Sequence, residues 1–229
     1  MTPRRIGIIG GTGPQGRGLA MRLALHGHTV RVGSRDAARG RESAEALTAS
    51  VRAAGAPASC VIAGGDNVQA VRDAELVLLT VPYEGAAEMV AALSPQIPPG
   101  AVFVDVTVPL AFGQGDVRVV VPPEGSGSLA LRAVLPASIP LCGVAKTLPA
   151  HLLEELGTPL NCNTFVFGDS KEAKAMLMDA MNGVGGLRPL DVGGLSAAAT
   201  VEGMTALLIR INRRYKSRNG RFAVLGLEG

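Results

Sequence analysis

Short apolar runs alternate along the chain with segments whose apolar positions recur at helical spacing. That alternation predicts an α/β fold, with a mostly parallel sheet covered by helices on both faces. Ile6–Ile9 reads as a first buried strand, followed by a glycine-rich turn from Gly10 to Gly18. Leu19 and Leu23 then share one face of a helix that Gly27 can stop. Thr29–Val32 is the second expected strand, and Asp36 is placed to cap a helix through Ala44, Leu47 and Val51.

Cys60–Ala63 reads as a short third strand. Leu76–Val81 is the most apolar run and is expected at the sheet centre, where both faces are covered. A helix over Glu84–Leu93 and a strand over Val102–Val106 follow. Leu110–Val121 carries no clear period, and Gly113 and Gly115 suggest an exposed loop. Leu141–Ala145 and Thr164–Phe167 read as further strands, and Asp169-Ser170-Lys171-Glu172 as a capping box in which Asp169 caps a helix to about Asn182. Val201, Met204, Leu207, Leu208 and Ile211 set a final helix over Ala198–Arg214. The expected division is a nucleotide-binding domain over 1–195 and a small lobe over 196–229.

Composition narrows the function. Apolar residues make up 47% of the 229 positions and charged residues 18%, enough for a large core and too ordered a pattern for a disordered chain. The net charge of +3 is too mild to mark a nucleic-acid binder, and 3% aromatics with no Trp argue against a base-stacking surface. Cys60, Cys142 and Cys162 form no metal or disulfide spacing, and His26, His28 and His151 are dispersed, so no metal site is expected. No stretch approaches a membrane span or a leader peptide, and the chain reads as cytoplasmic.

Gly11-Thr12-Gly13-Pro14-Gln15-Gly16 fits the GxGxxG pattern between a strand and a helix. Gly11 suits the tight turn, Gly13 lets the backbone approach a pyrophosphate, and Gly16 permits close helix packing. An NAD site usually carries an acid at the tip of the second strand. Here the tip is Val32-Gly33-Ser34-Arg35, with Arg39 four residues on, and that combination favours the 2′-phosphate of NADP. No nucleophile elbow, zinc-protease motif or phosphate-loop lysine is present, so no catalytic side chain is assigned. His151 reads as a helix-start residue. Lys146, alone at an apolar strand exit, either meets a cofactor or reaches solvent along its stem. A nucleotide pocket without an acid or base fits hydride transfer between two bound redox molecules.

Gly10-Gly11-Thr12-Gly13 with Gly16 and Gly18, Gly27-His28, Val32-Gly33-Ser34-Arg35, Leu79-Thr80-Val81-Pro82-Tyr83, Thr147-Leu148-Pro149-Ala150 and Gly186-Leu187-Arg188-Pro189-Leu190-Asp191 together resemble the NADPH-dependent reductases of the deazaflavin coenzyme F420. The resemblance implies a Rossmann-type doubly wound sheet with a small C-terminal helical lobe, usually as a homodimer. It implies that Thr12, Ser34, Arg35 and Arg39 hold NADP and that Val81 and Pro82 lie beside the nicotinamide. It further implies that Thr147, Leu148 and Pro149, with the Gly193-Gly194-Leu195 turn, border the deazaflavin pocket, with hydride passing directly between stacked rings. The chain departs from the pattern at Lys146, where His is expected, and at Gly194, where Pro is expected, and Leu110–Val134 matches poorly. Alternative readings are an NADPH-dependent reductase of a flavin, metal chelate or small imine, and a non-catalytic NADP-binding redox sensor. The run Arg210, Arg213, Arg214, Lys216, Arg218 and Arg221 is a candidate for attracting the anionic tail of the coenzyme, or simply a set of cations suited to a helix C-terminus.

Overall fold

Alternate side chains of the central strands enter two separate cores. In a computed structural model, which describes residues 2–113 and 115–227, Ile6 and Ile8 of β1 (Arg5–Ile9) face one core and Ile9 the other. β4 (Leu76–Leu79) divides the same way, Leu76 and Leu78 against Val77 and Leu79. In β5 (Val102–Asp105), Val102 and Val104 oppose Phe103. Strands buried on both faces read as continuous apolar runs, which is why these were legible. Each such side chain contributes roughly 1.5–3 kcal/mol on leaving water.

β2 (Thr29–Ser34) and β3 (Ile62–Asp66) extend the sheet on one side. On the other, β8 (Leu141–Gly143), β9 (Cys162–Gly168) and β10 (Leu187–Asp191) extend it to the far edge. Among the described residues the order is β3-β2-β1-β4-β5-β8-β9-β10. The first six run parallel, and β9 is antiparallel to β8 while β10 runs parallel to β9. This is the doubly wound, mostly parallel sheet that was expected. The unperiodic stretch after β5 forms a separate hairpin, β6 (Leu110–Gly113) and β7 (Asp116–Val119), where a loop was expected.

The helices are α1 (Pro14–Leu25), α2 (Ala37–Ala53), α3 (Asn67–Val71), α4 (Ala86–Leu93), α5 (Gly127–Val134), α6 (Ala150–Glu154), α7 (Lys171–Met181) and α8 (Ala198–Arg214). α8 has the expected bounds, although Leu207 and Ile211 of its stripe stay exposed. Several boundaries shift. β3 starts at Ile62 rather than Cys60 and continues through Gly64 and Gly65, whose bare backbones let Gly40 of α2 pack against them. The strand after α3 stops at Leu79, short of Val81, and α4 begins at Ala86, after Gly85 turns the chain at φ +79°. β8 ends at Gly143 because the backbone reverses at Ala145. The cap of α7 is Ser170, which accepts the Ala173 amide; Asp169 instead accepts Leu141 N and binds Arg132.

α1 is tied to α6 from two positions. A Cβ at Gly18 would collide with Leu153, so only glycine allows the helices this close. Beside it the buried Arg22 donates Nε to Leu153 O (2.9 Å) and Nη2 to the carbonyls of Leu152 (2.7 Å), Glu155 (2.9 Å) and Thr158 (2.8 Å). It thereby satisfies carbonyls that the end of α6 leaves open. α8 packs Ala198 and Val201 against Phe165 and Phe167 of β9.

Candidate functional site

β1 delivers the chain into the glycine loop at its C-terminal edge, where open α/β sheets bind ligands. The Gly11 amide donates to Gly33 O (2.9 Å), fixing the loop to the tip of β2. Gly16 is buried, and a Cβ there would lie 2.6 Å from Gly11 Cα and 2.7 Å from Thr80 Oγ1. Gly13 differs, because the nearest protein atom to a Cβ there is 3.5 Å away and its φ of −79° suits any residue. The protein's own packing does not require glycine at 13. Gly13 also heads α1 without a side-chain cap, and Pro14 at the first helical position brings no N–H. Uncapped first-turn amides and the helix dipole together suit an anion.

At the tip of β2, Ser34 is buried and its Oγ accepts the Asp36 amide at 3.3 Å. Asp36 Oδ1 accepts the amides of Ala38 (2.7 Å) and Arg39 (3.0 Å). The Arg39 amide first, then that of Ala38, holds this carboxyl below the usual carboxylate range, with the charges of Arg41 and Arg39 adding to them. Asp36 is therefore a helix cap, as its spacing suggested. Arg35 and Arg39 are exposed, and neither guanidinium has a carboxylate or carbonyl partner among the described residues.

A cleft of about 330 Å³ brings together Thr12, Gly13, Ser34, Arg35, Arg39, Val81 and Pro82. It unites most of the residues expected to hold NADP. Thr80, part of the Leu79–Tyr83 motif, also lines it, as do Asn67, Glu84 and Met89, which were not singled out in the sequence. Asn67 Oδ1 accepts the Gly10 amide (3.3 Å) and Thr80 Oγ1 donates to Ile9 O (2.9 Å), so both brace the loop. A signal for Asn67 existed: Asp66 and Gln69 around it form a capping box at the start of α3. A larger hollow of about 520 Å³ between α1 and α2 shares Thr12 and Arg39 with this cleft and is flanked by the Arg17–Glu154 ion pair (2.6 Å).

The remaining expected residues do not line the cleft. Gln15 reaches across by donating Nε2 to Ala145 O (3.3 Å). Thr147 and Leu148 are buried, Pro149 caps α6, and Leu195 is half-buried between two apolar clusters. Lys146 corrects the reading of its apolar surroundings. Its side chain is 0% exposed, and its ammonium pairs with Asp105 Oδ2 at 2.6 Å, so it neither snorkels to solvent nor lines the cleft. His151 lies in α6 with Nε2 2.8 Å from Asn219 Oδ1. The turn at Gly193 is braced by Lys174, which donates to Asp191 and to Gly193 O. Part of the basic run is engaged: Arg210 binds Asp116 through both carboxylate oxygens at 2.8 Å, and Arg213 donates to Gly115 O. Burial pushes the Cys142 thiol up to about 12, which makes it a core residue rather than a nucleophile.

The family model for coenzyme F420-dependent NADP oxidoreductases matches residues 5–109. An F420-dependent NADP reductase of Methanocaldococcus jannaschii is 34% identical over 226 residues, spanning 98% of this chain and 99% of that one. The chain belongs to the coenzyme F420-dependent NADP oxidoreductase family. A second member named F420-dependent NADP reductase, from Methanothermobacter marburgensis, is 30% identical over 97% of this chain and 99% of its own. A crystal structure from Arthrobacter sp. FB24, assigned as an F420-dependent NADP reductase, shares the fold with a TM-score of 0.77 at 22% identity, covering 97% of this chain and all of that one. Within the F420-dependent family, the segment matched by the model holds the glycine loop, the tip of β2 and Val81-Pro82, whereas Lys146 to Pro149 and Leu195 lie in the part aligned with the full-length relatives. Among the described residues no helix is long and apolar enough to cross a membrane.

Proposed function

We propose that the protein transfers a hydride between NADP(H) and the deazaflavin coenzyme F420. The observation that carries this reading is Arg35 and Arg39 beside Ser34 in the cleft, without a carboxylate or carbonyl partner among the described residues, while the neighbouring Asp36 caps α2 through Oδ1 and does not line the cleft. An NAD site usually carries a carboxylate for the ribose hydroxyls, and this tip brings a hydroxyl and two positive charges to the cleft instead. Near-full-length likeness to F420-dependent NADP reductases supplies the second redox molecule.

The cleft fits a dinucleotide on its own features. Thr12, Gly13 and the uncapped start of α1 face the pyrophosphate, with Gly11 and Gly16 setting the loop. Ser34, Arg35 and Arg39 hold the 2′-phosphate, and Val81 and Pro82 border the nicotinamide. When both are bound, the nicotinamide and the deazaflavin would supply the hydride donor and acceptor, with one proton exchanged with solvent to balance the reduced deazaflavin. The chain's task is orientation and exclusion of water, because no side chain need carry a proton to the reacting carbons. Thr147, Leu148, Pro149 and Leu195 border the second ring. Residues 1–195 act as the nucleotide-binding domain and 196–229 as a lobe that closes the second pocket. The exposed apolar side chains of Leu207 and Ile211 on α8 support a homodimer, and three free cysteines support a reducing cytoplasm.

Mixing the purified protein with NADPH and oxidised coenzyme F420 and following the visible absorbance of the coenzyme tests this reading. Bleaching with NADPH, and far slower bleaching with NADH, is the expected result. Tight NADPH binding without bleaching would point to the redox-sensor alternative, and turnover of flavins alone to another acceptor.

A further inference from the structure

Three charged side chains lie wholly out of solvent where four elements converge: Asp105 at the end of β5, Lys146 after β8 and Glu202 on α8, with α5 meeting them through its first residues. Lys146 Nζ donates to Asp105 Oδ2 (2.6 Å) and to Thr107 O, and stands 3.7 Å from Glu202 Oε1. Asp105 also accepts the Thr107 amide (2.8 Å) and hydroxyl (2.7 Å), and the Ser128 hydroxyl (2.6 Å). Glu202 accepts the amides of Gly127 (3.0 Å) and Ser128 (3.1 Å), which open α5. Phe167 covers the ammonium, with its ring centroid 5.8 Å away.

Stability alone is a poor explanation for such a cluster. Burying ions costs several kcal/mol each, and an apolar replacement of similar shape is often no less stable. What the cluster does provide is a fixed position for residue 146. α8 reaches that residue twice, because Glu202 and Thr205 are three residues apart and share a helix face. Glu202 faces the ammonium, and Thr205 Oγ1 donates to the Lys146 carbonyl at 3.0 Å. The preceding residue needs such support. Ala145 adopts a φ of +58°, which a side chain disfavours, and is held by Thr164 Oγ1 on its amide (2.9 Å) and by Gln15 on its carbonyl. Thr147, Leu148 and Pro149 follow at once.

We propose that Glu202 and Thr205 of α8, acting through Lys146, form a positioning device that holds the 145–149 segment in the shape that receives the second redox molecule. It rests on the hydride-transfer reading for the identity of that molecule, not for the existence of the device. None of the three residues contacts the nucleotide cleft, so the device acts on the second substrate and spares NADPH.

The test uses Thr205→Val, nearly isosteric and therefore safe for folding, with Thr205→Ser as the conservative rescue and Lys146→Met beside Lys146→Arg. Hydrogen exchange of residues 145–149 is read in the full chain, with the NADPH Kd and with KM and kcat for coenzyme F420. Thr205→Val is expected to speed exchange at Ala145 and Leu148 and raise the coenzyme KM by about fivefold, the scale of one hydrogen bond, with NADPH Kd unchanged. Thr205→Ser restores both. Lys146→Met has the larger effect and Lys146→Arg the smaller. Unaltered exchange in Thr205→Val overturns the proposal, as does faster exchange with an unaltered coenzyme KM, or an equal loss of NADPH affinity. If the wild-type protein does not reduce the coenzyme, the hydride-transfer reading falls, while the exchange measurement still decides whether the device exists.

Discussion

Asp36 accepts the Arg39 amide at 3.0 Å while the Arg39 guanidinium lines the cleft without a carboxylate or carbonyl partner among the described residues. One turn of helix thus engages Asp36 Oδ1 as its cap and leaves the Arg39 side chain at the cleft, where the proposed 2′-phosphate site uses it. The cap also stabilises the start of α2.

Replacing Arg35 by Ala removes a charge that has no carboxylate or carbonyl partner among the described residues. NADPH binding is expected to weaken by about 1.5–3 kcal/mol, the scale of a charge-assisted contact, with NADH binding unchanged. Titration of both nucleotides into wild type and variant checks this, and equal losses for the two would remove Arg35 from the 2′-phosphate site.

Ala145 holds a left-handed backbone that glycine adopts without penalty. The left-handed conformation costs an L-residue roughly 1–2 kcal/mol, and glycine returns about 0.5–1 kcal/mol through the entropy of the unfolded chain. Ala145 is also buried, and losing its methyl costs about 0.8 kcal/mol, so Ala145→Gly is expected to leave stability within about 0.5 kcal/mol of wild type in urea unfolding, whereas glycine at an unstrained buried alanine destabilises. A markedly lower urea midpoint would show that the φ of residue 145 is not strained.

His28 gives the fold a dependence on acid. Its Nδ1 accepts the Arg4 amide at 3.1 Å, so Nε2 carries the proton and donates to Ala180 O at 2.9 Å. Burial lowers its pKa from the ordinary 6.5, against the opposing pull of the Ala180 carbonyl. The unfolded chain then takes up a proton that the folded one refuses. The contribution is present above the unfolded value and is lost as pH falls below it towards the folded one. Between about pH 7.5 and about pH 5.5, the urea midpoint of wild type is expected to fall more than that of His28→Gln. Parallel losses would assign the acid sensitivity to other groups.

The sequence showed most clearly what local order controls. β1, β4 and β5 were legible because their apolar residues are contiguous, and α8 because its stripe runs at helical spacing. The glycine loop and Ser34-Arg35 were legible as a strand tip beside a helix start. The five-residue α3 is too short to show a period, so Asn67 went unnoticed beneath Gly10. β10 contains Arg188 and Pro189, and an edge strand tolerates both where a central strand would not. Lys146 was visible only as an odd charge. Its partners Asp105 and Glu202 lie far from it along the chain, and no spacing rule links them before the fold does.

The most direct test of the central claim follows the transferred hydrogen itself. NADPH carrying deuterium at the transferring C4 position is mixed with the protein and oxidised coenzyme F420, and the reduced coenzyme is analysed by mass spectrometry and NMR. Direct transfer predicts that deuterium is retained at C5 of the deazaflavin, with none lost to water. Absence of turnover, or a product whose C5 hydrogen comes from solvent, would contradict it.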